Sequence, residues 1–150
     1  MWRVNFRIYT YHAINGSYID FSTCDKLVQS IFKALILNGE KSKEITQKFA
    51  KIKNAALKTI KTITGESTNS VLERAFNLGI AKNADYGETN ILKFGLIGIS
   101  VRIGDKLARV QNLMALKIEG KVTDEKIEDT LLDIINYSTY GQMLNDGVWK

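Results

Sequence analysis

The sequence predicts a mainly α protein: a helical bundle with a central antiparallel helix pair, at about residues 95–118 and 123–144, and an N-terminal β-hairpin at about residues 2–21. Three features point to this. Proline is absent, where an average chain of this length carries about seven, so long uninterrupted helices are permitted. After residue 22, apolar side chains recur at helical spacing. Before it they alternate, and an Asn-Gly pair sits among them.

In the first segment Trp2, Val4, Phe6 and Ile8 fall on one side of a period-two pattern, and Arg3, Asn5, Arg7 and Tyr9 on the other. That pattern predicts a strand with one buried face. Asn15-Gly16 separates it from Ser17-Tyr18-Ile19-Asp20-Phe21. Asn-Gly is the strongest short hairpin signal, because both central positions of a type I′ turn need positive φ. Two strands alone are marginal in water. The ribbon is therefore expected to lie on helices, or to pair through its free edge with a second copy and give a homo-oligomer.

Ser22 or Thr23 caps the next helix, which buries Leu27, Ile31 and Leu35 and ends at Asn38-Gly39. A helix over about 41–63 places Ile45, Phe49, Ile52, Ala56, Ile60 and Ile63 on one stripe. Lysines 41, 43, 48, 51, 53, 58 and 61 fill its remaining surface, and Thr64-Gly65 breaks it. The polar run Ser67-Thr68-Asn69-Ser70 leads into a helix at about 70–83 with Val71, Leu72, Ala75, Phe76 and Ile80 inward. Lys82-Asn83-Ala84-Asp85-Tyr86-Gly87 stops it, Gly87 allowing the positive φ of a tight reversal. Gly95, Gly98 and Gly104 lie in or near the helix that follows. Each costs about 1 kcal/mol relative to alanine in a helix interior, and close approach of another backbone or of a ligand would account for them. Glu119-Gly120-Lys121 turns the chain into the last helix.

A chain of 150 residues is expected to be one domain. Its parts are a hairpin appendage at 1–22, a basic helical segment at 23–66 and a helical core at 67–150. Residues 1–80 hold 12 Lys+Arg against 6 Asp+Glu, and residues 81–150 hold 9 against 10. The basic half suits an anionic partner such as nucleic acid or an acidic protein surface, or it is a solvated lysine face. The one aromatic ring within residues 41–61, Phe49, belongs to the apolar stripe and is not a stacking platform among the lysines, so nucleic-acid binding there would be backbone-driven and unspecific. Cys24 is the only cysteine and His12 the only histidine, which excludes disulfides, structural zinc sites and histidine-cluster metal sites. No signal-peptide pattern and no membrane-length apolar run is present, so a cytoplasmic location is expected (host cytoplasm if the protein is viral).

The chemistry is concentrated in two charged stripes. Arg102, Asp105, Arg109 and Asn112 are spaced three, four and three apart, and Asp129, Asp133, Asn136 and Tyr140 four, three and four apart. Each set lies along one side of its helix. Counting outward from the turn at about 1.5 Å per residue puts Asp105 level with Asp133, about 20 Å away, and Arg109 level with Asp129. Two readings stand. The groups form an interhelical salt-bridge network, or they form a ligand site in which Asp105, Asp129 and Asp133 hold Mg²⁺ and the arginines fork onto the phosphates of a nucleotide di- or triphosphate.

Three motifs carry a family resemblance: Lys82-Asn83-Ala84-Asp85-Tyr86-Gly87, Val101-Arg102-Ile103-Gly104-Asp105-Lys106-Leu107-Ala108-Arg109, and Ile127-Glu128-Asp129-Thr130-Leu131-Leu132-Asp133-Ile134-Ile135-Asn136-Tyr137. Through residues 82–140 the chain resembles a family of bacteriophages and bacteria, the nucleotide modification-associated helical proteins, themselves similar to MazG-like all-α nucleotide pyrophosphohydrolases. The resemblance implies a phage-type nucleotide-binding protein. In one form it is a Mg²⁺-dependent nucleoside triphosphate pyrophosphohydrolase. Arg102, Lys106 and Arg109 would then hold phosphates, Asp85 and Tyr86 would border the base or sugar, and Lys82 and Asn136 would complete the nucleotide site. In the other it sequesters a nucleotide, or inhibits a host defence protein or a nucleic-acid complex through its N-terminal half. The chain departs from the enzymes' pattern in lacking Glu-x-x-Glu within residues 95–118, and its second helix offers Asp129 and Asp133 four apart instead.

Overall fold

The computed structural model describes residues 2–11, 19–38, 42–87 and 89–149. Among them the chain forms six helices: α1 (Trp2–Thr10), α2 (Phe21–Asn38), α3 (Lys43–Thr64), α4 (Thr68–Tyr86), α5 (Gly95–Ile118) and α6 (Asp124–Asn145). Helix α6 is the axis. It packs against α1, α3, α4 and α5, and nearly every residue from Thr130 to Asn145 is buried. A helix so enclosed satisfies its polar groups internally or leaves them unpaired at a cost, and in α6 the Ser138 hydroxyl and the Gln142 amide have no hydrogen-bond partner. The Thr130 and Thr139 hydroxyls donate to the carbonyls of Lys126 and Ile135 one turn back. Asn136 Nδ2 donates to the Ala75 carbonyl at 2.8 Å, and Asn145 Nδ2 to the Ser42 carbonyl at 2.7 Å.

The N-terminal β-hairpin expected over residues 2–21 is not present. Residues 2–10 are helical, Phe21 begins α2, and no strand occurs among the described residues. His12 and the Asn15-Gly16 turn lie outside the described residues. Trp2 and Phe6 are buried under either geometry, because a spacing of four fits both a strand face and a helix face. Val4 and Ile8 separate the two: they would share the strand's buried face, and they are 52% and 58% exposed. A nine-residue helix is unstable alone, so packing decides. Trp2 stacks on Trp149 with ring centroids 5.2 Å apart, and Phe6 packs against Phe76 at 5.0 Å and Tyr140 at 5.1 Å. Trp149 reaches Trp2 because Gly147, at φ +75°, turns the chain back after α6, with Val148 N–H donating to the Met143 carbonyl. With no strand here, the free edge expected to pair two copies is missing.

The other helices follow their sequence signals closely. Ser67 caps α4, its Oγ accepting from Ser70 N–H. The start of α2 is held instead by Asp20, whose Oδ1 accepts from Thr23 N–H. Gly120, at φ +74°, closes α5 in a Schellman turn, with Lys121 N–H donating to the Leu116 carbonyl. The lysines of α3 are not a uniform solvated face: Lys48 donates to Ser30 Oγ, Lys61 to Thr68 Oγ1, and Lys53 is fully buried.

Of the glycines singled out by sequence, Gly98 is closely approached, a Cβ there standing 2.6 Å from Phe94 Cβ, and two further glycines are closely approached as well. A Cβ at Gly141 would stand 2.6–2.8 Å from the Phe49 ring, and one at Gly79 would stand 2.6 Å from the Phe6 ring and 2.8 Å from the Tyr140 hydroxyl. Gly141→Ala is expected to lose about 2 kcal/mol, overpacking outweighing the gain in helix propensity. Thermal denaturation checks this, and a variant as stable as the parent would show that Phe49 has room to move.

Candidate functional site

Helices α4, α5 and α6 enclose a cavity of about 320 Å³, near the lower end of the range for ligand pockets. Helix α4 contributes Gly79, Lys82, Asn83 and Tyr86 from its last turns, a spacing that keeps them on one side of the helix. Gly87, at φ +87°, ends α4, and the turns behind it bring Asn90 and Ile91 over the cavity. Helix α5 contributes Arg102 and Lys106, and α6 contributes Asp133, Asn136, Tyr137 and Tyr140.

The electrostatic centre is Asp133. It is buried, and each of its oxygens meets a different lysine: Lys82 Nζ lies 2.6 Å from Oδ1 and Lys106 Nζ 3.0 Å from Oδ2. One carboxylate thus ties α4 and α5 to α6. The Arg102 guanidinium carbon lies 5.8 Å from the centroid of the Tyr137 ring, within cation–π range. Among the described lining residues there are three cations and one carboxylate, a formal charge of +2.

Deeper in, Asn83 Nδ2 donates to the Tyr140 hydroxyl at 3.1 Å. Burial pushes the Tyr140 pKa well above its ordinary value, so the phenol keeps its proton and its O–H stays a donor. Asn136 is oriented by the Ala75 carbonyl, which can only accept. Its Oδ1 is left buried with no hydrogen-bond partner. Tyr137 stands nearly perpendicular to Tyr140, with centroids 6.1 Å apart, and Tyr86 is exposed at the rim.

Of the residues singled out by sequence, the structure brings together Lys82, Tyr86, Arg102, Lys106, Asp133 and Asn136. It places Asp85, Asp105, Arg109 and Asp129 on exposed positions that do not line the cavity. The separation has a geometric cause. Lys106 meets Asp133, Arg109 Nε donates to Thr130 Oγ1 at 3.2 Å, and Arg102 lies over Tyr137. All three pairs are symmetric about the midpoint of Glu119 and Gly120, half a residue beyond the centre that levels Asp105 with Asp133. Level counting fixes height along a helix and says little about azimuth, and one residue is about 100° of rotation. Neither the arginine–aspartate network nor the three-aspartate cluster therefore forms in this arrangement.

Tyr140, a member of the α6 stripe, also lines the cavity, as do Gly79, Asn83, Asn90, Ile91 and Tyr137, which were not picked out as ligand-binding. Asn83 was readable, one residue after Lys82 on the same turn. Asn90 and Ile91 had no local signal, because an irregular turn carries them.

The carboxylates do not fit a protein-held Mg²⁺, which takes oxygen ligands. Both oxygens of Asp133 are engaged by lysines, Asp105 and Asp129 are exposed elsewhere, and no group of three His, Cys, Asp or Glu side chains among the described residues could hold a metal ion.

Comparison with known proteins gives one match. Residues 82–144 match the model of the family described as nucleotide modification associated domain 1, a span of under half the chain that contains all of the cavity lining except Gly79. No curated protein and no solved structure matches the chain. No helix among the described residues is long and apolar enough to cross a membrane.

Proposed function

We propose that the chain binds a nucleotide in the cavity between α4, α5 and α6, with Lys82, Lys106 and Arg102 taking the phosphate and the tyrosines bordering the sugar and base. The observation that carries this is the charge of the lining: three cations converge on a partly enclosed space whose described residues include a single carboxylate, Asp133. Cations gathered beside one another repel, and an anion between them relieves that repulsion. Aromatic faces next to them suit a flat heterocycle. The match of residues 82–144 to a nucleotide modification associated family supports the same ligand class.

Capture is favoured over hydrolysis. A Mg²⁺-dependent pyrophosphohydrolase, the activity implied by the MazG-like resemblance, needs carboxylates free to hold the metal and orient a water. The carboxylate of this cavity is committed to two lysines. Magnesium, where present, would arrive on the nucleotide's own phosphates rather than on Asp105, Asp129 and Asp133.

Calorimetric titration with nucleotides, with and without Mg²⁺, is expected to show binding that Arg102→Ala weakens at least tenfold while leaving the melting temperature within about 2 °C, as for a substitution of a half-buried side chain. An affinity untouched by Arg102→Ala would remove the site. Release of pyrophosphate from a triphosphate incubated with the protein and Mg²⁺ would replace capture with catalysis.

A further inference from the structure

We infer that the ligand is a nucleoside monophosphate, held through a doubly charged phosphate monoester. This rests on the nucleotide-binding reading above and narrows it to one ligand class.

Charge is the first ground. Lys82, Lys106 and Arg102 against Asp133 leave a formal +2 among the described lining residues. A phosphate monoester carries about −1.5 to −2 at neutral pH, its second pKa lying near 6. The two balance. Each further phosphate of a di- or triphosphate adds anionic charge for which the lining holds no further cation. Lys93 is the cation among the described residues of the adjoining groove, which shares Tyr86 and Asn90 with the cavity. Its ammonium rests over the Phe94 ring, 5.8 Å from the centroid, and it does not line the cavity.

Geometry is the second. Lys82 and Lys106 bind opposite oxygens of the same carboxylate, so their ammoniums are close enough for one tetrahedral group to touch both. The binding point is single and compact, not a row of cations along a polyphosphate. Asp133 already holds both lysines in place, which lowers the entropy cost of ordering them on a ligand.

The third is the layout along α6. From the level of Asp133, Asn136 and Tyr140 lie about 5 and 10 Å further along the helix. At the first level is the buried, unpartnered Oδ1 of Asn136, and at the second the Tyr140 hydroxyl. An acceptor and a donor at that distance from a phosphate site suit the hydroxyls of a sugar and the polar edge of a base. A volume of about 320 Å³, near the floor of the ligand-pocket range, suits one nucleoside with one phosphate.

The test is calorimetry on the full chain at pH 7.5 with four ligands sharing a base: the nucleoside, its monophosphate, the monoanionic methyl ester of that monophosphate, and the triphosphate. It is run for each common base in turn. The monophosphate is expected to bind at least tenfold tighter than the methyl ester and the triphosphate, with no detectable binding of the nucleoside. Lys106→Gln, its fold checked by circular dichroism, is expected to shrink the preference for the monophosphate over the methyl ester towards one. A triphosphate that binds as well as the monophosphate, a methyl ester that binds equally, or a preference unchanged in Lys106→Gln overturns the monophosphate assignment and leaves nucleotide binding standing. Failure of all the charged ligands for every base overturns the nucleotide reading itself.

Discussion

Replacing Lys82 and Lys106 together by glutamine is expected to lower the unfolding free energy by about 2 kcal/mol and to weaken nucleotide binding at least a hundredfold. The stability loss comes from the partner left behind. Asp133 is buried with one lysine on each oxygen. Removing the partners of a buried charge costs about 3–5 kcal/mol. The lysine side chains are 44% and 30% exposed, so solvent already screens part of the attraction and the smaller figure applies. Adding Asp133→Asn removes the stranded charge. The triple variant is expected to regain most of the stability and none of the binding. Urea denaturation and calorimetry measured side by side separate the two effects. Full stability in the double variant would mean that Asp133 does not depend on the lysines, and restored binding in the triple variant would mean that the anion sits elsewhere.

That Asp133 and Lys106 meet was nearly legible in the sequence, and the way it was missed is instructive. The polar stripe of α6 marked the cavity face through Asp133, Asn136 and Tyr140, the stripe of α5 shared only Arg102 with it, and the turn at Glu119-Gly120 set which turns stand opposite each other. Half a residue in the centre of that turn separates Asp105 from Lys106 as the partner of Asp133. The centre is fixed by the Schellman hydrogen bonds at Gly120, which a residue count does not contain. Arg102 stands out in the charged stripe of α5, whereas Lys82 and Lys106 enter only through the motifs that carry the family resemblance. Tyr140 belongs to the polar stripe of α6 and Tyr137 to the third family motif, and both also pack on the core.

The N-terminal segment failed for a different reason. Its first nine residues fit period two and period four equally at Trp2 and Phe6, and the deciding contact is with Trp149, at the far end of the chain. Local pattern cannot weigh a partner 147 positions away, which is how tertiary packing overrides propensity. The consequence reaches the site, since Phe6 packs on Tyr140 and on the position of Gly79. Helix α1 is therefore part of the wall behind the cavity.

Lys53 makes that wall sensitive to pH. Its side chain is fully buried, and Nζ donates to the Tyr9 carbonyl at 2.8 Å, close to the C-terminus of α1, where unpaired carbonyls favour a cation. Burial nevertheless pushes the pKa of Lys53 from 10.5 down to about 7. Between those values the unfolded chain binds a proton that the folded chain has released, so stability rises with pH. Below pH 7 both states are protonated and the burial cost is constant. From pH 7 to 9 Lys53 alone contributes about 2 kcal/mol, with a slope approaching about 1.4 kcal/mol per unit. Burial also pushes the Cys24 thiol from 9.0 up to about 12, so from about pH 8.5 the unfolded chain loses a thiol proton first and offsets part of this gain. At higher pH the tyrosines turn the trend down. Burial and a hydrogen bond to Asp146 push the Tyr9 phenol up to about 12, and burial raises Tyr140 as well, so the unfolded state loses phenolic protons first. Stability against pH is thus expected to peak at about pH 9, and Lys53→Met, which has nothing to titrate, is expected to remove the rise between 7 and 9. Urea denaturation across that range decides it. A flat profile in the parent, or an equal slope in Lys53→Met, would mean that Lys53 is charged in the folded protein at neutral pH and that α1 is held over the cavity by an ammonium rather than by an amine.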